Sequence, residues 1–495
     1  MTPAHTRLHP ATRRWIITAF CCLAALATSA LPSDAAGPPC RAWTGAGADN
    51  KWTTAANWDT GAPNAGDCLL FPQSASTLTN LNDYPDGTAF HEMNFTGGGY
   101  TINGNRVSLT AGLTNSIPEA AVTTINLRLG GAGGVTNTSG WLELVADNLQ
   151  FGETLVQAGG LRAGNSGAFG QNSAPVTLTG GIISLSSSVH IPNQLSIGGP
   201  ANPELFGGDG ASWDNAIQTL AGHATFSSEA GAAFTIAHSI SGPATIHKEG
   251  GGTVVFSVNN SFTGKVHVAD GILEAAHSES LGSHLQGTLV EDGGTLRVAK
   301  SFALEPIELR GHGDEASAGA LTHTLGIALL GNVTIGADTT IDADGNILRF
   351  TNGLAQTGAG HTVTKTGNGT LEIEGTSTFN GAVDIQEGTL SVRSVFPGSI
   401  EVNGGVLSGI GTCGSVTVHT GILAPGESGV GKLTIDGDLH VDQTGQVEFT
   451  VDGVDSKTTL RVLGKVETGG TPPLGVTGTG NVPVGTSVVL IQNDG

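Results

Sequence analysis

Few residue patterns in this sequence could carry out catalytic chemistry. The chain contains no H-E-x-x-H, no G-x-S-x-G, no P-loop and no cysteine-rich metal signature, so the common motifs for hydrolysis, phosphate binding and structural metals are missing. Gly409, Gly411 and Gly414 match the G-x-G-x-x-G spacing of dinucleotide-binding loops. Such a loop must open a helix, whereas these glycines lie between two strand patterns. We therefore interpret them as a turn and predict no catalytic residue, no cofactor and no metal.

A short acidic segment offers oxygen atoms at alternate positions, as a calcium-binding loop does. Asp342, Asp344 and Asn346 surround Gly345. Counting from Asp342, the twelfth position is Gly353, where such a loop needs a bidentate glutamate. We therefore interpret the segment as an Asp-rich turn.

Histidines are concentrated in one part of the chain. Eight of them lie between His223 and His323, and His247 and His267 are about one coil of a repeating structure apart. Stacked coils could align such residues into a ladder that binds a metal or responds to acid pH. No H-x-H or H-x-x-x-H pair accompanies them, so the simpler interpretation is that they are solvated strand and turn histidines.

The composition narrows the classes of partner. The chain has 42 Asp and Glu against 20 Lys and Arg, a net charge of −22, and its 77 glycines accompany a charged fraction of only 13%. A field of this sign disfavours nucleic acid and anionic lipid headgroups. Divalent cations, basic surfaces and neutral glycans remain compatible with it.

The N-terminal residues predict export. Residues 1–36 hold three arginines, then the apolar run from Trp15 to Ala30, then small residues beside Pro32, which is the order found in a cleaved signal peptide. That run is short for a membrane span, and no later stretch is apolar enough to be one. We therefore expect no membrane-spanning segment in the mature chain.

Cys21 and Cys22 lie within the predicted signal peptide, and export places the other three cysteines in an oxidising compartment. Cys40 and Cys68 bracket one compact stretch and form a candidate disulfide. Cys413 is then an odd thiol, which we interpret as a buried small hydrophobe in a stack of strands rather than a reactive site.

The mature chain is rich in short strands. Segments such as 176–179, 252–256, 295–298 and 370–373 carry apolar side chains two residues apart and end at Gly, Asn or Asp. No stretch holds a helical apolar stripe for three turns. Short strands, frequent turns and great length predict an all-β solenoid, in which coils stack along one axis.

One unit of this solenoid is present twice. A shift of 117 residues places 246–273 on 363–390 without a gap, which is the signature of a structural repeat. The glycines allow the positive φ angles of turns, the threonines open strands, and one such unit cannot bury its apolar face alone. The paired residues are Lys248 and Lys365, Gly252 and Gly369, Thr253 and Thr370, Phe262 and Phe379, Gly264 and Gly381, and Gly271 and Gly388.

The repeated pattern K-x-G-x-G-T, then F-x-G and G-x-L, resembles the autotransporter-associated β-strand repeat, also called the passenger-associated transport repeat. Trp43, Trp52 and Trp58 resemble the N-terminal module of proteins that carry it, and residues 421–466 resemble their closing coils. The resemblance implies a single-stranded right-handed parallel β-helix, with repeats that aid export and folding and therefore meet the export machinery. The segments of a C-terminal membrane barrel are not recognisable, so we expect a passenger-type protein without that barrel.

These features divide the chain into five regions. In the Trp-rich module near the N-terminus, the tryptophans could stack on sugars, but an apolar cap over the open edge of the first coil is the simpler interpretation. The regions are a signal peptide (1–36), a Trp-rich N-terminal capping module (37–100), irregular β-helix coils (101–240), a β-helix with the two clear repeats (241–410), and closing β-helix coils that we expect to be truncated (411–495).

Two classes of function fit the sequence. The first is an exported structural or adhesive protein, secreted or associated with the bacterial outer membrane, whose unknown extracellular ligand is a host surface, a matrix or a glycan. The alternative is a polysaccharide lyase or glycoside hydrolase, because parallel β-helices host such enzymes. Enzymes of that kind need acidic groups that converge on one groove, and here most acids lie beside glycine or alternate with apolar residues. We therefore predict that the protein is not an enzyme.

Overall fold

The computed structural model describes most of the chain from residue 38 onward, and Pro39–Gly495 form one compact unit. The predicted signal peptide at residues 1–36 lies outside the described residues. Within the described part, no helix is long and apolar enough to cross a membrane, and the region boundaries at residues 100, 240 and 410 remain predictions. The described residues are 38–315, 319–323, 326–344, 346–455, 457–478 and 486–495.

The secondary structure is almost entirely β, with one short 3-10 turn at Ala55–Asn57. From the start of the unit to residue 163 the strands are Cys40–Ala42, Cys68–Phe71, Thr79–Asn82, Thr88–Phe95, Thr101–Gly104, Val107–Ser116, Val122–Ile125, Leu129–Gly131, Gly134–Ser139, Trp141–Leu144, Leu149–Gln150, Thr154–Val156 and Gly160–Ala163. From there to residue 311 they are Val176–Leu185, His190–Ile191, Leu195–Gly207, Ser212–Trp213, Ile217–Thr219, His223–Ser228, Ala233–Ile236, Ile240–Gly242, Thr245–Glu249, Thr253–Phe256, Ser261–Phe262, Val266–Val268, Gly271–Ala275, Thr288–Val290, Gly294–Val298 and Phe302–Gly311.

The remaining strands continue the same pattern to the end of the chain. They are Leu321–His323, Ile327–Asp342, Ile347–Phe350, Leu354–Gln356, Thr362–Thr366, Thr370–Ile373, Ala382–Ile385, Thr389–Val392, Val395–Phe396, Ser399–Val402, Val406–Gly409, Thr412–Cys413, Val416–Val418, Ile422–Pro425, Gly431–Ile435, Leu439–Asp442, Gln446–Thr450, Thr458–Val462, Val466–Gly469, Leu474–Thr477 and Ile491–Asn493.

The strands pair in parallel from one coil to the next, so the predicted all-β parallel β-helix is confirmed. In the first repeat, Thr245–Glu249 pairs with Val266–Val268, and Thr253–Phe256 pairs with Gly271–Ala275. Strands of successive coils lie above one another, so that each set of paired strands forms a ladder along the axis. Main-chain hydrogen bonds therefore run along the axis, and every coil depends on its neighbours.

Alternation along each strand decides which side chains lie inside. In Thr253–Phe256, Val254 and Phe256 are buried whereas Thr253 and Val255 face outward. The inward side chains stack into one apolar core that reaches from Trp43 to Val462. Each aliphatic or aromatic side chain buried in this way contributes about 1.5–3 kcal/mol to folding, so the stability of a coil comes chiefly from stacking.

The two repeat copies lie on different sides of the solenoid. The ladder that contains Ile246 continues through Val266, Thr288 and Ile307. Lys365 instead belongs to the ladder that starts from Val254 and passes through Leu273, Leu296, Leu321 and Ile341. The repeat motif is therefore a local building unit that does not depend on one particular side.

Three tryptophans close the core at its first coil. Trp43 and Trp52 are fully buried and Trp58 is 4% exposed. Trp58 packs edge-on against both, with ring centroids 5.2 Å from Trp43 and 6.1 Å from Trp52. The Trp52 indole N–H donates a hydrogen bond to Asn80 Oδ1 at 2.7 Å. Buried rings cannot stack on a sugar, so these side chains cap the solenoid.

Candidate functional site

The repeat signature places a lysine in the interior of each copy. Lys248 and Lys365 are both fully buried, and each ammonium group donates to three backbone carbonyls, two in its own turn and one in the next coil. Three acceptors satisfy the three donors of an ammonium group. The acceptors of Lys248 are Glu249 O (2.9 Å), Gly250 O (2.6 Å) and Asp270 O (2.7 Å), and those of Lys365 are Thr366 O (2.6 Å), Gly367 O (2.8 Å) and Glu387 O (3.2 Å).

Burial changes the acidity of these lysines. It lowers the pKa of Lys248 and of Lys365 to about 8, against the opposing attraction of nearby carboxylates such as Asp270 and Asp342. Both ammonium groups stay largely charged at neutral pH. Each lysine is therefore a built-in cation that joins two coils through their turn carbonyls.

The other repeat residues also shape the backbone and offer no reactive group. Gly388 has φ 62°, and a Cβ there would lie 2.3 Å from the carbonyl oxygen of Gly367 in the coil before it. A Cβ at Gly381 would lie 2.1 Å from His361 O. The remaining repeat residues behave in the same way in both copies. Thr253 and Thr370 begin strands, and Phe262 and Phe379 are fully buried. Gly271 has φ 62°, and a Cβ at Gly252, Gly264 or Gly369 would clash with neighbouring backbone.

An open groove lies on the outer surface of the described residues. Its floor is one ladder of parallel strands, and the segment 424–429 forms a wall beside it. The cavity has a volume of about 520 Å³. The groove face is the outward side of Ile347–Phe350, Thr370–Ile373, Thr389–Val392, Val406–Gly409, Ile422–Pro425 and Gln446–Thr450.

Charged side chains of the groove form one connected network. Glu372 accepts hydrogen bonds from Arg349 and from Arg393, the latter at 3.4 Å. Arg393 also pairs with Glu427 at 2.9 Å, and Ser391 Oγ donates to the same carboxylate at 2.9 Å. These side chains are only 13–26% exposed, so the network is held in place at the groove floor.

This arrangement suits binding of a polar ligand better than catalysis. Hydroxyl groups of Thr370, Thr389, Ser391 and Ser408 line the groove at alternate strand positions, and the guanidinium groups offer further donors. Glu372 already accepts hydrogen bonds from two arginines, so its carboxylate is engaged by partners within the protein. The groove can therefore hydrogen-bond a polyhydroxylated or acidic ligand.

Sequence reasoning missed this groove. Its residues come from consecutive coils, and their sequence separations vary, for instance 23 residues between Arg349 and Glu372 but 21 between Arg393 and Glu372. Without the register of the strands, no fixed spacing connects them. The usable signal is opposite charge at the outward positions of neighbouring strands.

The structure aligns three histidines that the sequence left apart. His247 and His267 are direct partners in the strand register, and their ring centroids are 5.2 Å apart. His223, from the coil before, joins them through a contact of 3.0 Å between its Nδ1 and His247 Nε2. A histidine ladder is therefore present on the outer surface.

The two other motifs singled out in the sequence are turns. Asp342 Oδ1 accepts the Asp344 backbone N–H at 3.0 Å, as in an Asx turn, while Gly345 lies outside the described residues. Gly409 ends the strand Val406–Gly409 and opens no helix. The Cys413 side chain is buried, which raises the pKa of its thiol to about 12.

A disulfide joins the first two strands of the unit. Cys40 and Cys68 are bonded and face each other in the parallel register. The bond closes a loop that contains the tryptophan cap. It ties the first strand to the second.

One buried carboxyl group predicts a pH dependence of stability. Glu305 is 5% exposed and accepts a hydrogen bond from Thr288 Oγ1 at 2.7 Å, and burial raises its pKa from 4.5 to about 7. A raised folded-state pKa stabilises the fold fully below about pH 4.5, and this contribution is lost as the pH rises through 7. We expect Glu305→Gln to remove a pH-dependent difference of roughly 3 kcal/mol.

Urea unfolding of both proteins between pH 4.5 and 8 measures this difference. The variant should match the wild-type free energy of unfolding most closely at the acid end and exceed it above pH 7. Glu401→Gln, at an exposed position, is the control and should follow the wild-type curve. Parallel curves for wild type and Glu305→Gln would show that this carboxyl group does not titrate abnormally.

The repeated unit matches a known protein family. The Passenger-associated-transport-repeat family matches residues 246–275 and 363–392, the two segments that hold the buried lysines. The chain carries two passenger-associated transport repeats. The passenger repeats are thus coils of this β-helix, each with a buried cation and a glycine corner.

Two known proteins are similar in sequence to this chain. The adhesin BmaC autotransporter of Brucella suis biovar 1 (strain 1330) is 28% identical over 261 residues, which is 52% of this chain and 7% of that protein. An extracellular serine protease of Serratia marcescens is 34% identical over 103 residues, 20% of this chain and 10% of the protease. The matches thus cover only a small part of either relative. No solved structure matches the chain significantly.

Proposed function

We propose that this protein is an adhesive β-helix that attaches to an extracellular surface through its outer faces. It is secreted or lies at the cell surface, and it is built from passenger-type coils. The observation that carries the proposal is the pair of passenger repeats within an uninterrupted parallel β-helix. Its similarity to a protein named as an adhesin supports the same class of function.

We propose the groove as the main contact site. Its hydroxyls and its Arg–Glu network present paired donors and acceptors, which fit the neighbouring hydroxyl groups of a glycan on a host or matrix surface. The net charge of −22 disfavours strongly acidic partners. A neutral glycan is therefore the ligand class that fits both the groove and the charge.

Catalysis fits the described residues less well. Among them, Ser212, His190 and Asp214 come nearest to a hydrolytic triad: Ser212 Oγ lies 2.6 Å from His190 Nδ1 but donates to Asp214 Oδ1 at 2.5 Å. In a working triad the aspartate binds the imidazole and not the serine. The similarity to a protease covers only 20% of this chain and 10% of the protease, so it does not carry a catalytic assignment, and we propose a non-enzymatic role.

Adhesion of coated beads tests the function. Beads that carry the mature chain should adhere to host cells or matrix-coated wells, and soluble chain should compete. Beads coated with the heat-unfolded chain provide the control, because adhesion through a folded face requires the folded state. Equal adhesion of both bead types, or none by either, would contradict the proposal.

A substitution in the groove tests its assignment as the contact site. We expect Arg393→Ala to weaken binding at least tenfold to the host or matrix surface on which the beads adhere. The reason is that a charge-assisted hydrogen bond contributes about 1.5–3 kcal/mol. Surface plasmon resonance with the purified variant measures the change. Arg128→Ala is the matched control, because Arg128 is 48% exposed and pairs with Asp147 elsewhere. Equal loss in both variants would place the contact outside the groove.

A further inference from the structure

The histidine ladder lies on the outward side of the first repeat, away from the groove. It follows the outer side of the strands His223–Ser228, Thr245–Glu249 and Val266–Val268. The three rings reach the surface, since His223 is exposed and His247 and His267 are only partly buried. Three imidazole side chains from successive coils therefore lie next to one another on the outer surface.

The closest pair within the ladder is preorganised. His223 Nδ1 and His247 Nε2 are 3.0 Å apart, and the rings meet edge-on with centroids 5.0 Å apart. A contact of this length needs one nitrogen to donate and the other to accept. At least one imidazole lone pair therefore points at the other ring. On the far side, His267 Nε2 lies 3.3 Å from Glu291 Oε1.

We propose that His223 Nδ1 and His247 Nε2 together bind one divalent transition-metal ion, with zinc or copper as the fitting class. Imidazole nitrogen is a preferred ligand for both metals. A tetrahedral ion with metal–nitrogen bonds of about 2.0 Å needs its two nitrogens roughly 3.3 Å apart, so the rings need to separate only slightly. When the ion binds, the donor ring carries its proton on its other nitrogen instead of the facing one, so each ring binds as a neutral imidazole, and water fills the remaining positions.

The surroundings favour a cation at this place. Glu291, whose Oε1 lies 3.3 Å from His267 Nε2, places a carboxylate beside the ladder. The net charge of −22 adds a field that attracts cations. This site is independent of the adhesive function, because it lies on another set of coils than the groove.

Metal titration of the mature, tag-free chain tests the site. After treatment with a chelator, zinc chloride alone is titrated by calorimetry at pH 7.5, and X-ray absorption is recorded on the zinc-loaded protein. We expect one zinc per chain at this site, two imidazole ligands in the spectrum, and at least tenfold weaker binding in His223→Ala and in His247→Ala. His223 is exposed, so its variant should fold normally even if His247→Ala does not.

A second histidine cluster provides the matched control. His419 and His440 both contact Asp442, at 2.7 and 3.0 Å, and they are partly buried, hydrogen-bonded histidines outside the ladder. His419→Ala should keep the high-affinity zinc. Unchanged zinc affinity in His223→Ala, loss of the zinc in His419→Ala, or a spectrum without imidazole would each overturn the assignment.

Discussion

Replacing Lys365 with methionine should lower the free energy of unfolding by about 3 kcal/mol. Methionine fills a similar volume but donates no hydrogen bond, so three buried turn carbonyls lose their shared partner. A buried acceptor without a partner costs about 1–3 kcal/mol. We expect the same loss in Lys248→Met, because its ammonium group has an equivalent set of acceptors.

The size of this effect depends on where the lysine lies. Lys300→Met is the control at an exposed position, and its free energy of unfolding should change by less than about 0.5 kcal/mol. Coils of a solenoid can unfold separately. Hydrogen exchange of residues 363–392 and 246–275 should therefore be measured together with urea unfolding. Faster exchange confined to the mutated repeat is the expected pattern. A loss as small as that of Lys300→Met would show that the buried ammonium group is not needed.

Replacing Trp52 with alanine should destabilise the first coils by about 4 kcal/mol. The change opens a large cavity beneath Trp58, Phe71 and Phe90, whose ring centroids lie 5.9–6.1 Å from that of Trp52. It also removes the hydrogen bond to the buried Asn80 side chain. With the cap weakened, the open edge of the core becomes accessible to solvent.

Limited proteolysis and thermal unfolding measure the loss of the cap. Trp52→Ala should be cleaved between residues 40 and 110 much faster than wild type. Trp141→Ala is the control of the same residue type, because Trp141 is only partly buried and its ring contacts Arg162. If both variants resisted protease as wild type does, the tryptophans would not be the element that closes the solenoid.

The sequence was sufficient to predict the architecture because the repeat encodes it locally. Apolar residues two apart, such as Val254 and Phe256, and glycine corners such as Gly388 follow from strand and turn geometry alone. The duplicated segment then required stacking, since a single copy leaves its apolar face exposed. The Trp43, Trp52 and Trp58 cap followed from the need to cover the first edge.

The groove could not be predicted because it depends on register, and the sequence raised the histidine ladder only as the less simple of two interpretations. His223 meets His247 across 24 residues, whereas His247 meets His267 in the next coil across a shorter separation. Coil length thus varies along the chain, and no single spacing aligns outward side chains. Lys365 was recognised as part of the repeat, but its burial depends on carbonyls that converge only when the next coil is in place.

Incubation of the mature chain with a panel of surface and matrix glycans, with bound protein and released sugar ends measured in the same wells, tests the central claim directly. The adhesive account predicts that at least one glycan retains the chain saturably, that Arg393→Ala reduces this retention, and that no new sugar ends form. Release of sugar ends that disappears in a single carboxylate variant such as Glu372→Gln would contradict it and identify the protein as a polysaccharide-cleaving enzyme.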